Sequence, residues 1–292
     1  MKKLLRSFKY VYLALVLFFL YVPIIYLIVF SFNDFSGKTH EANYSNLGLW
    51  KGFTLNNYAS IFSSKDGTAI INTIEVAVIS SIIATIIGTA AAIGINAMKR
   101  RTRTTVLNIS QLPMVNPDLV TGITFMMLFT FVNSMLAKIG LGRIDDFVKL
   151  LIAHISFSIP YVIFSVLPRL RQSSDMLYEA AIDLGCTPMQ AMFKAVIPDI
   201  MPGITSGFIM ALTMSLDDFV VSYFVSDKIK LLSVHIYSSA RSSTGVNPAL
   251  ATIIFIPLVT LLLIVNLRRI AKDREYEIQN RKVKLKDKGG IN

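Results

Sequence analysis

VYLALVLFFLYVPIIYLIVFSF, residues 11 to 32, runs for 22 positions without a charged side chain. A helix of that length covers about 33 Å, enough for the hydrocarbon core of a bilayer. The run is too long for the core of a signal peptide, and no small-residue cleavage pattern follows it. It reads as a retained first membrane span. Four further uncharged runs have comparable length: Val76 to Met98, Leu119 to Ala137, Leu150 to Pro168 and Ser242 to Leu267. A sixth forms from Ile200 to Ser226 once two adjacent aspartates are admitted. Each must be helical, because hydrocarbon offers no partner to an open backbone group and the runs lack the alternation of a barrel strand. The fold class expected is all-α, a polytopic membrane protein of six transmembrane helices. Composition agrees, with 53% hydrophobic residues and a mean hydropathy of +0.58.

Lysine and arginine divide 20 against 9 between alternate sides of these spans. The positive-inside bias then places both termini in the cytoplasm. The expected divisions are a cytoplasmic N-terminus over 1–10, a transmembrane domain over 11–270 with a cytoplasmic loop at 171–200, and a basic cytoplasmic tail over 271–292. The net charge of +11 is this bias plus the tail. It calls for a lipid bilayer as partner and for no nucleic acid.

Several chemistries are excluded. Gly37-Lys38-Thr39 looks like the end of a phosphate-binding loop, but the glycine required five positions earlier is Phe32. Asp217 and Asp218 are adjacent, so on one helix they project about 100° apart and cannot form an aspartyl-protease dyad. Cys186 is the single cysteine, and His40, His154 and His235 show no metal-ligand spacing. No catalytic residue, metal or cofactor is expected in this chain.

The segment RLRQSSDMLYEAAIDLGCTPMQAMFKAVIPDIMPG, residues 169 to 203, separates spans four and five. Asp175 can cap a short helix through Leu184, with Gly185 in the left-handed position past its end. Thr187, Pro188 and Gln190 have the spacing of a capping box for a second helix. Pro198 and Pro202 are expected to end that second helix before span five begins. The pattern is that of two short helices meeting at a glycine elbow.

Glu179-Ala180-Ala181, then Gly185, then Ala195-Val196-Ile197-Pro198 resemble the EAA signature of ABC importer permeases. The family more often carries isoleucine at the position of Ala195 and leucine at that of Ile197, and both departures are apolar. The resemblance implies a type I importer permease fold. It also implies that the elbow docks in a groove of a separate ATPase, coupling through Glu179, Ala180, Ala181, Gly185 and Pro198. Small side chains suit such close approach. The likeness extends over YVPIIYLIVFSFN, SFSIPYVIFSVLPRL, SLDDFVVSYFVS and LLSVHIYSSARSSTGVNPALATI, and these together resemble the permeases of spermidine/putrescine importers. The resemblance implies four partners besides the lipid: a homologous second permease, two ATPase subunits that bind ATP and magnesium, and an extracytoplasmic polyamine-binding protein. The alternatives are a permease for another small solute, an amino acid or other cation, or a secondary transporter working alone.

The residues themselves propose a pathway. An aspartate at a helix centre costs on the order of 2.5 to 3.5 kcal/mol, so two are retained only where they face protein or water. Ser215, Asp218 and Ser222 recur at i, i+3 and i+7, a polar stripe on one helix face. Asp218 is therefore expected in the substrate pathway, with Asp217 either flanking it or facing a partner subunit. Phe219 and Tyr223 offer aromatic walls for a cation's methylene stem. Asp118 in LPMVNPDLVTG either caps the helix from Leu119 or contacts substrate where Pro113 and Pro117 free backbone carbonyls. Residues 104 to 116 either lie at the interface or begin span three. Glu75, at the outer end of span two, is expected to be solvated. Ser80, Ala84, Gly88, Ala92 and Asn96 form a small-residue stripe expected to pack against another helix.

Overall fold

The computed structural model describes residues 2–34, 50–62, 65–172, 175–241, 248–253, 255–256, 259–260 and 267. Five helices among them are long and apolar enough to cross a membrane: Lys9–Phe30, Asp66–Ala97, Asp118–Lys138, Asp146–Gln172 and Pro188–Asp217. The expected sixth span, Ser242 to Leu267, lies largely outside the described residues, as does the basic tail. The chain divides into two compact units, residues 1–61 with 242–292, and residues 62–241.

In the first unit, α1 (Lys2–Phe30) is followed by a short closing motif on α2 (Asn56–Phe62). The Asn57 amide donates to the carbonyls of Ser31 and Asn33, both at 2.8 Å, and Asn33 pairs with Phe53 in an antiparallel bridge. These bonds satisfy carbonyls that the end of α1 leaves open.

The second unit contains α3 (Lys65–Ala97), α4 (Arg100–Val115), α5 (Asp118–Lys138), α6 (Asp146–Gln172), α7 (Asp175–Asp183), α8 (Pro188–Ala191), α9 (Ile197–Asp217), α10 (Val220–Val225) and α11 (Leu232–Arg241). Its first core joins α3, α6 and α9 through Ala92, Val162, Val166, Ile200 and Ala211. The small-residue stripe of α3 makes this contact: Ser80, Ala84 and Ala92 are fully buried. A Cβ on Gly88 would meet Val162 at 2.7 Å, so glycine sets how closely α3 and α6 approach. A second core joins α5, α6 and α10 through Phe129, Leu150, Ala153 and Val221. The Asp146 carboxylate anchors the far end, accepting from the Lys228 amide at 2.7 Å and pairing with Lys149 at 2.6 Å.

Three expectations change. Span two begins at Lys65 and not near Val76, so Glu75 lies about three turns inside α3, where its side chain is exposed. Residues 104 to 116 belong to α4, which runs antiparallel beside α6: Leu107 lies with Phe164 and Leu167, and Leu112 and Asn116 with Ser156 and Phe157. The helix that is apolar enough to span is α5 alone, and α4 is set off from it at Asn116 and Pro117, where the residue before proline is extended (φ −69°, ψ 135°). Span five is interrupted, because α9 stops at Asp217 and α10 starts at Val220.

Candidate functional site

The interruption of span five is built by the residues it exposes. Asp218 is extended (φ −65°, ψ 126°), which strands the first amides of α10. Its carboxylate accepts from the Val221 amide at 3.2 Å, the Ser222 amide at 2.8 Å and the Ser222 hydroxyl at 2.6 Å. The Ser233 hydroxyl, from α11, donates to the freed Asp218 carbonyl at 2.6 Å. A break that would be prohibitive in hydrocarbon is thereby satisfied by protein.

His154 stands at the centre of this arrangement, fully buried on α6. Its Nδ1 lies 2.6 Å from the Ser215 hydroxyl and its Nε2 lies 3.1 Å from that of Ser222. Ser215 in turn lies 3.1 Å from Ser80 on α3. Proton placement follows from the carboxylate end. Ser222 donates to Asp218, so it accepts from Nε2–H of His154, and in the neutral imidazole Nδ1 then accepts from Ser215. Hydrogen bonds among these side chains tie α3, α6, α9 and α10 together.

The continuous stripe expected from Ser215, Asp218 and Ser222 is therefore corrected. The helix breaks between them, and Ser215 and Ser222 are 1% and 2% exposed, turned onto His154 and not onto an open path. The Asp218 side chain is 10% exposed and engaged as a cap. Asp217, one residue earlier, is the exposed member of the pair. Two residues further on, Phe219 forms an aromatic group with Tyr223 and Tyr237, with ring centroids 4.8 Å apart for Phe219 and Tyr237 and 5.6 Å for Phe219 and Tyr223. Tyr223 is 46% exposed and Tyr237 38%.

Asp118 opens α5 without capping it, since the cap position is Pro117 and no side-chain cap bond forms. Its side chain is exposed. The two interruptions come together in space. Gly122, four residues past Asp118, faces α10 so closely that a Cβ would lie 3.0 Å from Phe224 and 3.2 Å from the Val220 carbonyl. A cavity of about 530 Å³ opens beside the α4–α5 break, lined by Pro113, Asn116, Phe125 and Phe157 among others.

The elbow takes its expected form. α7 ends at Asp183, Gly185 has φ +85°, the Gly185 amide donates to Ile182 O at 2.8 Å and the Cys186 amide to Ala181 O at 3.0 Å. This is a Schellman cap. Thr187 and Gln190 form the reciprocal capping box, with Pro188 at the first helical position. Glu179 and Ala180 are exposed and Ala181 is half-buried. The second arm does not end at Pro198 and Pro202. It passes through a π-turn at Met192–Val196 into α9, and the wider turn accommodates Pro198, whose ring would crowd the Lys194 carbonyl in a regular helix. The elbow is consequently one helical run with span five. Leu184, Met189 and Phe193 project from it, 86%, 68% and 60% exposed.

Ser233 and Tyr237 were not singled out in the sequence, His154 was named only as a histidine without metal-ligand spacing, and Ser80 was expected only to pack against another helix. His154 carried a signal, since an ionisable residue inside an apolar run needs a partner. Tyr237 and Ser233 carried none, because α11 lies in what reads as a loop.

Irregular backbone at membrane depth is tolerated only where protein buries it or it lines a path, and the class that the relatives of this chain define is a transport permease. Residues 84–275 match the family described as binding-protein-dependent transport system inner membrane component. The spermidine/putrescine transport system permease protein PotC of Haemophilus influenzae is 34% identical over 252 residues, 84% of this chain and 90% of that one. The putrescine transport system permease protein PotI of Escherichia coli is 33% identical over 268 residues, 89% of this chain and 91% of its own length. In fold, the chain is similar to a bacterial ABC transporter involved in the import of the acidic polysaccharide alginate, with a TM-score of 0.66 at 19% identity, covering 92% of this chain and 95% of that one. This chain belongs to the binding-protein-dependent transport system inner membrane components.

Proposed function

We propose that the chain is one permease subunit of an ATP-driven polyamine importer. It works with a homologous second permease, two ATPases that hold ATP and magnesium, and an extracytoplasmic binding protein. The names of its relatives support the solute class. The observation that carries the reading to particular residues is the exposed Asp217 carboxylate at an interrupted helix, two residues before Phe219, whose ring packs with Tyr223 and Tyr237. Polyamines are ammonium groups on methylene stems, and a carboxylate with aromatic faces supplies a partner for each part. Asp118, exposed at the neighbouring interruption, is the second candidate contact. Asp218, Ser215 and Ser222 shape the path by holding the break, and His154 positions them.

Coupling follows from the continuity of α8 with α9. An ATPase that closes on the elbow at Glu179–Gly185 moves a helical run about 45 Å long, whose far end is the break at Asp217. Both termini and the elbow face the cytoplasm in this arrangement, so Cys186 reacts with an impermeant thiol reagent in inverted vesicles and not in intact cells. Labelling in intact cells overturns that topology.

The test of the pathway separates the two aspartates. With assembly checked by co-purification, Asp217→Asn lowers initial uptake of labelled spermidine or putrescine about ten-fold, a modest effect because the group stays open to solvent. Asp218→Asn keeps one acceptor oxygen and loses the bonds to the other, so it weakens the assembled protein first. Unchanged uptake with Asp217→Asn removes the pathway role of that residue, and competition by amino acids in place of polyamines redirects the solute class.

A further inference from the structure

Arg100 and Arg103, in the first turn of α4, and Arg171, in the last turn of α6, line one cavity of about 370 Å³. Among the described residues the ion pairs are Asp146–Lys149, His154–Asp218 and His235–Asp66, so no described carboxylate neutralises any of the three guanidinium groups. Like charges gathered without a counter-ion repel, and the gathering is stabilised when an anion joins it. A second cavity, about 460 Å³, adjoins the first through Leu107 and Arg171 and is lined by Phe164, Leu167 and Pro168. It runs along α6 away from Arg171, towards the interior of an apolar span. α4 has no buried residue, so the cleft is open along its length.

We infer that this cleft between α4 and α6 holds one anionic phospholipid, its phosphate on Arg100, Arg103 and Arg171 and an acyl chain along Leu107, Phe164 and Leu167. The order of the two cavities sets the occupant. Arg171 closes the span and stands at headgroup depth, while Phe164 and Leu167 lie one to two turns deeper. A free phosphate would occupy the basic end and leave the apolar cavity open. A phospholipid fills both, and basic pockets between spans are the form such recognition takes. The site depends on the membrane location alone and stands whatever solute the permease carries.

The test uses the full chain with whatever subunits co-purify, reconstituted in phosphatidylcholine nanodiscs containing a trace of spin-labelled phosphatidylglycerol. An immobilised spectral component is expected from labelled phosphatidylglycerol and not from labelled phosphatidylcholine. Arg171→Gln reduces affinity for the labelled lipid roughly five-fold, and Arg100→Gln with Arg103→Gln reduces it further. Arg171→Lys retains most of it, and Arg101→Gln, which lines neither cavity, leaves it unchanged. Equal immobilisation of the neutral lipid overturns the site, as does an unchanged signal in Arg171→Gln. Displacement of the label by millimolar inorganic phosphate overturns the lipid and leaves a free-anion site.

Discussion

The break at Asp217–Val220 and the elbow at Asp183–Pro188 interrupt helices in opposite ways. At the break, polar side chains are gathered where the surroundings are apolar, and Ser222, Ser215 and His154 are buried and bonded to one another. At the elbow, apolar side chains stand open: Leu184 and Met189 are 86% and 68% exposed. The break is closed by side chains from three other helices, whereas the elbow is closed by its own backbone and by Thr187 and Gln190. The difference teaches where each draws its stability. A tertiary lock fails when one partner goes, and a local cap survives but leaves its surface waiting for a partner.

Substitutions can break or sharpen this contrast. His154→Leu should have the largest effect on stability, since it removes a partner from both Ser215 and Ser222. The expected cost is about 2 to 4 kcal/mol, at roughly 1 to 2 for each buried hydroxyl left short, seen as a lower melting temperature of the purified protein. An unchanged melt would mean that the buried chain is not what holds the break.

Gly185→Val should come next, with a cost of about 1 to 2 kcal/mol from forcing a β-branched residue to positive φ. Space is not the obstacle, because nothing lies within 4 Å of a Cβ there. The variant is expected to reach the membrane but to hydrolyse ATP without uptake, and normal uptake at matched levels would count against a coupling role. Thr187→Ala removes one capping bond, and about 1 kcal/mol is expected. Leu184→Asp should leave the melt within about 0.5 kcal/mol, as for an exposed position, while weakening co-purification with the ATPase. Retained co-purification would assign the exposed patch to something else.

The contrast also explains which parts were legible from the residues alone. The elbow was read almost completely, down to Gly185 and the Thr187–Gln190 box, because its bonds join residues at most five apart. The site at the break was read in composition but not in roles. A helical stripe through Ser215, Asp218 and Ser222, the natural extrapolation when no break is foreseen, favoured Asp218 over Asp217 for the pathway. Neither proline nor glycine marks that break. It is held by His154 from 61 residues away and Ser233 from 15 residues away.

By itself the sequence determined the solvent, the helical class, the apolar runs and the local turn chemistry, because hydrophobicity and capping act within a span or a few residues. Tertiary structure alone decided that α4 lies beside α6, that the second arm of the elbow runs unbroken into span five, and that Asp218 is bonded to Val221 and Ser222 while Asp217 stays exposed. The physical reason is that a carboxylate's role depends on which donors reach it: those on Asp218 are Val221 and Ser222 of the next turn, and they face it only because the chain bends there, a bend held by side chains of other helices.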